Sequence, residues 1–472
     1  MKIWYIMQIS KTAKEVAGMS FLKNETIPQS YLFSKQDIMA LMIPLILEQL
    51  LVITVGMLDS MMVSYAGESA VSGVSLVDSI MILIQQLFAA LAAGGAVVAG
   101  QYLGMQKEEK ACRSVNQLLI FCFLAGIVVT AVLYAIRGFL LSRVFGAITP
   151  EVHSAADVYL LITSASVPFL ACFLAAFAVF RAQGDSKLSL RVSVVINLIN
   201  LTGNAILVYG FKMGTAGVAI PTLISRMAGA FLSCRYLMKQ ERTLHIHLPF
   251  HFVVERKMLY NILYIGVPNG FESFMFNFGK IILLSLVAEF GTASIAANAI
   301  GNSLGLYQVL PGLAISFGVV TVVSRCIGAN DINQARFYTK YLLKMSRNYC
   351  GIATIAIFAL CVPVLKIYNV SPEAEKFAFT IVIIHGLGIF FTYAPSFVLP
   401  SALRAANDVR YCLIISSITM WICRVGGSFI LARWCGLGVI GVWAAMQLDW
   451  LGRTVCYIHR FKGDKWHTAR LS

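Results

Sequence analysis

Along most of the chain, apolar residues run for about twenty positions at a time, and polar residues gather in short segments between the runs. A run of that length crosses the roughly 30 Å hydrocarbon core of a bilayer as an α-helix, because each helical residue rises about 1.5 Å. Scanning for such runs predicts twelve helices, at 38–64, 75–103, 115–136, 155–180, 189–210, 216–238, 258–289, 297–325, 341–366, 375–402, 411–432 and 437–459. Gly and Pro recur inside them, which membrane helices tolerate better than soluble ones.

The pattern repeats. Shifting the chain by 224 residues lays Pro44 on Pro268, Glu48 on Glu272, Gly67 on Gly291, Gly94 on Gly318, Gly104 on Gly328 and Ala111 on Ala335 without a gap. Further on, Ile206 and Leu207 meet Ile430 and Leu431, and Gly214 and Gly217 meet Gly438 and Gly441, while "FRAQGDSK" and "LRAANDVR" match at a shift of 223. The chain therefore reads as two copies of a six-helix unit, and an even number of helices keeps both copies in one orientation. The expected fold is an all-α polytopic membrane protein whose twelve transmembrane helices form two pseudo-symmetric lobes around a central cleft. Its segments are a cytoplasmic tail at 1–37, an N-terminal lobe at 38–238, a cytoplasmic linker at 239–257, a C-terminal lobe at 258–460 and a tail at 461–472.

Composition agrees with a membrane chain: 58% of the 472 residues are hydrophobic, 12% are charged and the mean hydropathy is +0.78. Soluble domains run at roughly 45–50% apolar and about 25% charged. The net charge of +15 lies in short loops between apolar runs, not on one folded surface, so it does not signal nucleic-acid binding. Lys and Arg crowd the N-terminal tail, "GMQKEEKACR", 235–257, "RCIGANDINQARFYTK" and the C-terminal segment, whereas "YAGESAVSG", "EFGTAS" and "YNVSPEAE" contain none. Alternate loops thus agree on cytoplasmic termini. No signal-peptide-like run precedes the first helix, so the N-terminus is expected to stay uncleaved. The eleven Cys form no CxxC pair and mostly sit inside apolar runs, as small buried hydrophobes do.

Two packed, repeated bundles suit a transporter, because rocking one against the other opens their interface to alternate sides. A duplicated scaffold or a channel is the alternative on fold logic alone. The stretches "IPLILEQLLVITVGMLDSMMVSYAGESAVSGVSL" and "GQYLGMQKEEKA", with "GVPNGFESFMFNFGKIILLSLVAEFGTASIAANAI" and "RCIGANDINQAR" in the second copy, resemble the multidrug and toxic compound extrusion (MATE) family of antiporters. The likeness covers about residues 38 to 460. It implies efflux of organic cations from a bacterial inner membrane, driven by inward Na⁺ or H⁺, by a monomer surrounded by membrane lipids. No cofactor or metal is implied. A lipid-linked oligosaccharide flippase of the same superfamily is the rival, and its anionic cargo would favour a cleft lined by Arg and Lys. An intramembrane enzyme is disfavoured because HExxH, GxSxG and phosphate-binding Gly loops are absent.

Charges inside the helices are the candidates for chemistry. A carboxylate at the bilayer centre costs about 2.5–3.5 kcal/mol even on the most lenient scale, so such groups usually face a polar interior. Asp59 sits near the end of the first helix, and Asn197, Asn200 and Asn204 share one face of the fifth. Matching depth predicts an Asp59–Asn200–Asn204 cluster, suited to a hard cation or a proton. The resemblance points the same way, since the acid fifteen residues after the first-helix Pro belongs to the family's cation site. Several relatives carry an acid where this chain has Asn204, which leaves the choice between Na⁺ and H⁺ open. The alternative for Asp59 is an interfacial acid reaching water, and for the Asn stripe it is helix-to-helix hydrogen bonding.

Glu48 and Glu272 follow Pro44 and Pro268 by one turn each, so two readings compete. They face the cleft as attractors for a cationic small molecule, or they pair with Lys280, Arg226 or Arg424, which are themselves mid-membrane charges. Lys280 lies roughly 12 Å along the helix from Glu272, too far for a direct pair. The tenth helix, where another branch of the family has an acid, offers His385, read as a hydrogen-bonded packing residue. "HIHLPFH", with His245, His247 and His251, lacks the acids or Cys of a metal site and is read as an interfacial segment. Aromatic residues in the spans, Phe276 among them, offer planar cations a surface.

Overall fold

The structure is a computed structural model that describes residues 27–146, 148–246 and 255–467, and among these it contains helices and turns but no strand. Twelve helical stretches follow the apolar runs: α1 (Lys35–Ser64), α2 (Glu68–Gly104), α3 (Glu108–Val144), α4, α5 (Ser186–Gly210) and α6 (Ala216–Leu237) in the first copy. In the second copy come α7 (Arg256–Ala288), α8 (Thr292–Gly328), α9 (Ile332–Ile367), α10 (Pro372–Ala405), α11 (Val409–Trp434) and α12 (Gly438–Lys462). α4 is two pieces, Pro150–Ala165 and Val167–Ala182, bent by 48°. The break falls at Ser166, just before Pro168, whose missing N–H cannot continue the ladder.

Among the described residues, ten helices are long and apolar enough to cross a membrane, eleven if the bent pair is one span. α12 falls short of the twelve expected because Gln447, Asp449 and Arg453 interrupt its apolar run, and the structure buries Asp449 and Arg453 inside the protein.

The repeat governs local geometry as well as sequence. Gly67 and Gly291 precede α2 and α8 with φ of 100° and 89°, a region that L side chains rarely adopt. α5 and α11 both end in wide π-helical turns, Ala205–Gly210 and Phe429–Trp434. α11 carries a further π-helical stretch, Thr419–Gly426. A π turn absorbs an extra residue, and this one lies where the repeat offset changes from 223 to 224.

The chain divides into two compact units whose borders fall beside Pro44 and Pro268. One unit is Ile43–Gly270, and the other joins the residues up to Met42 to those from Phe271 onward. Each copy's first helix therefore begins in the other copy's unit. In the N-terminal unit, the first turns of α7 lie so close to α2 that a Cβ on Gly94 would come within 2.6 Å of the Ile262 carbonyl oxygen. In the C-terminal unit, a Cβ on Gly318 of α8 would meet the Met42 side chain of α1. Gly94 and Gly318 are repeat equivalents, as are Gly266 and Met42. α2 packs on α3 and α4, and α5 on α6, in the first unit; α8 packs on α9 and α10, and α12 on α10 and α11, in the second.

Candidate functional site

In the N-terminal unit, α5 starts cleanly because Asp185 caps it, accepting from the Leu188 amide at 3.1 Å. One face of α5 then carries Asn200 and Asn204 to the last turns of α1. Asn204 Nδ2 donates to Asp59 Oδ1 at 2.9 Å. With the Asn200 amide turned so that both its ends are satisfied, its nitrogen lies 2.9 and 3.0 Å from the two Asp59 oxygens and its oxygen accepts from Thr222 Oγ1 of α6 at 3.2 Å. Two α5 amides thus hold the α1 carboxylate, and α6 braces one of them.

Both asparagines are buried, and Asp59 is half-buried. The Asn204 Oδ1 oxygen is buried with no hydrogen-bond partner among the described residues. An unsatisfied amide oxygen beside a carboxylate is an oxygen set suited to a hard cation, and a proton on Asp59 would instead relieve its burial. Asn197, from the same predicted stripe, turns away and donates to the Ser193 carbonyl oxygen at 2.8 Å.

Asp78 in α2, which does not stand out in the sequence, lies in the same neighbourhood. Tyr159 donates to it at 3.0 Å, and it is an electrostatic neighbour of both Asp59 and Arg226. Arg226 Nη1 donates to Ser166 Oγ at 2.7 Å, at the break in α4. The signal was present as an acid within the apolar run at 75–103, but it had no repeat partner to draw attention to it.

Glu48 and Glu272 are paired differently from either expected set. Arg181 Nη2 lies 2.8 Å from Glu48 Oε1, and Ser189 Oγ donates to Oε2 at 2.7 Å. Arg404 Nη2 lies 2.9 and 3.0 Å from the two Glu272 oxygens. Arg181 and Arg404 come from the matched segments "FRAQGDSK" and "LRAANDVR", so one ion pair is built twice. Lys280, Arg226 and Arg424 are not the partners. Asp185 and Asp408, four residues later in the same segments, are also paired, with Arg242 at 2.9 Å and Arg460 at 2.7 Å.

Lys280 and Arg424 come together in the C-terminal unit instead. Both lie over the Phe276 ring, at 5.0 and 5.2 Å from its centroid, and buried Arg453 lies at 5.5 Å. Asp449 accepts from Arg453 Nε at 2.8 Å. His385 Nδ1 is 2.5 Å from Gln308 Oε1 and its ring meets Trp443 and Trp450 edge to face, a packed and hydrogen-bonded setting. His247 and His251 lie outside the described residues, and among those described no three His, Cys, Asp or Glu side chains gather as a metal site.

Known proteins share this architecture. The MatE family model matches residues 44–206 and 268–430, once on each copy. The probable multidrug resistance protein YoeA of Bacillus subtilis is 26% identical, over 85% of this chain and 88% of its own length. The probable multidrug resistance protein NorM of Thermotoga maritima is 25% identical, over 95% of each chain. An outward-facing multidrug resistance transporter of solved structure superposes with a TM-score of 0.83 at 20% identity, covering 91% of this chain and 94% of its own.

Proposed function

The chain belongs to the MATE family and is a multi-pass membrane protein, and from that premise we propose that it is a secondary active antiporter, exporting drug-sized molecules in exchange for Na⁺ or H⁺. The observation that carries the coupling is the convergence of Asn200 and Asn204 on Asp59, with Thr222 holding the Asn200 amide and the Asn204 oxygen left unsatisfied. A carboxylate held in such a cage changes its energy sharply when an ion or proton arrives. That change biases a two-state bundle, as coupling requires. The names of YoeA and NorM support drug efflux as the task. The protein works as a monomer in a bacterial inner membrane, with both termini cytoplasmic.

Organic cations are the cargo the family pattern suggests. An anionic cargo, as in the lipid-linked oligosaccharide flippases, is favoured by one observation, the gathering of Lys280, Arg424 and Arg453 on one ring.

The test is efflux of a fluorescent organic dye from proteoliposomes under separately imposed Na⁺ and H⁺ gradients, beside equilibrium dye binding. Asp59→Asn removes the charge with little change in shape, so gradient-driven efflux is expected to stop while binding persists. Wild-type accumulation by that variant would overturn the assignment.

A further inference from the structure

The C-terminal unit holds a concentration of positive charge that the antiport reading leaves unused. Lys280, Arg424 and Arg453 project from three helices, α7, α11 and α12, onto Phe276. Their distances to that ring keep any two of the cationic centres within about 11 Å of each other.

Compensation is incomplete. Asp449 is shared: it is hydrogen-bonded to Arg453, and its other oxygen forms a longer ion pair, 3.8 Å, with Arg424 Nη1. Glu272 is occupied by Arg404. Among the described residues Arg424 Nε is buried without a hydrogen-bond partner, and Lys280 has neither an ion pair nor a hydrogen bond, only the face of Phe276. Lys280 also keeps accessible surface. Three cations against one carboxylate leave two positive charges beside unused N–H donors. Arginine and lysine arranged this way recognise oxyanions, because the guanidinium offers paired donors and the ammonium a point charge.

The repeat shows that this polarity is not inherited from the cation cage. The gapless offset of 224 sets Leu283 where the first copy has Asp59, and Gly56 where the second has Lys280. α7 has lost the acid of α1 and gained a cation one turn earlier. Beside the charges lies a packed aromatic cluster: Tyr393 stacks on Phe397 at 5.2 Å, and Phe397 meets Trp450 at 5.4 Å.

We propose that Lys280, Arg424 and Arg453 form an anion site in the C-terminal unit that receives the carboxylate or phosphate oxyanion of an aromatic cargo. The inference deepens the antiport reading, and rests on it only for the word cargo; the binding site itself stands on the geometry around Phe276.

The experiment measures binding of benzoate, and of its cationic analogue benzylammonium, to purified full-length protein in phosphatidylcholine nanodiscs by tryptophan fluorescence. Saturable benzoate binding is expected, weakened tenfold or more by Lys280→Met and by Arg424→Met, retained by Lys280→Arg, and not competed by benzylammonium. Should Arg424→Met not fold, Lys280→Met carries the test, since its side chain is accessible and supports no partner. Repeating the titration in phosphatidylglycerol nanodiscs separates the sources. Unchanged benzoate binding assigns the site to free anions, and Lys280-dependent displacement assigns it to a lipid headgroup. Benzoate binding that is absent or indifferent to Lys280→Met, or benzylammonium binding as strong as that of benzoate, overturns the proposal. Gradient-driven efflux reads the Asp59 assignment and the Lys280 dependence of benzoate binding reads this site, so failure of one and failure of the other give different results.

Discussion

Arg181 at the end of α4 reaches Glu48 in α1 across 2.8 Å, and both side chains are withdrawn from solvent, with exposures of 13% and 3%. Removing one partner of a buried pair typically costs about 3–5 kcal/mol, because the other loses its closest counter-charge. Glu48→Gln should therefore lower the apparent Tm of the detergent-solubilised protein substantially, and Glu48→Gln with Arg181→Gln should recover part of the loss. Transport of charged and neutral substrates should fall together in Glu48→Gln. Selective loss of charged substrates would make Glu48 a recognition residue instead.

The equivalent glycines should differ in tolerance. A Cβ on Gly94 meets backbone, the Ile262 carbonyl oxygen and the Gly266 amide, whereas a Cβ on Gly318 meets the flexible tip of Met42. Overpacking costs typically 1–3 kcal/mol when neighbours cannot yield, and methionine yields readily. Gly94→Ala is expected to lower the apparent Tm more than Gly318→Ala, and equal shifts would contradict the packing described.

Asn204 sets the character of the cation cage. Asn204→Leu removes the 2.9 Å donor to Asp59, together with the buried oxygen, and should abolish the ion dependence of efflux. Asn204→Asp sets a second carboxylate beside the first, which should strengthen Na⁺ dependence by about tenfold, because charge count raises the affinity of hard-cation sites. Dye efflux against graded Na⁺ reads both variants, and an unaltered Na⁺ profile in Asn204→Asp would exclude the cage as a Na⁺ site.

Orientation is checked by impermeant thiol labelling of intact cells, with engineered cysteines read against the background of the native ones. Residues introduced at Glu68 and Thr292 should react from outside, and those at Glu109 and Asn333 should not. The reverse pattern would invert the topology drawn from the Lys and Arg distribution.

Periodicity and the duplication carried the twelve helices, and depth along two helices was enough to bring Asp59, Asn200 and Asn204 together. The partners of Glu48 and Glu272 were not legible because Arg181 and Arg404 belong to basic segments at the ends of predicted spans, where charge reads as solvated loop. The repeat did mark those segments as equivalent, so pairing the duplicated acids with the duplicated arginines was the available inference. Asp78 and Asp449 were missed for a different reason. Each is an acid without an acidic counterpart in the other copy, and only packing reveals whether it faces lipid or a partner. The gathering on Phe276 likewise depends on the rotation of α7, α11 and α12 about their axes, which spacing along one chain does not fix.

The unit borders beside Pro44 and Pro268 bear on how the protein is made. A ribosome emits α1 first, yet its opening turns belong to a unit whose remainder, with the Gly318 that packs on Met42, is made only after Phe271. The N-terminal unit, in turn, stays open beside Gly94 until the opening turns of α7 emerge. Neither half is thus a finished object when the linker is synthesised. A gene cut at the linker would yield two fragments, each missing a piece that the other holds, and co-expression of those fragments should succeed where either alone is degraded.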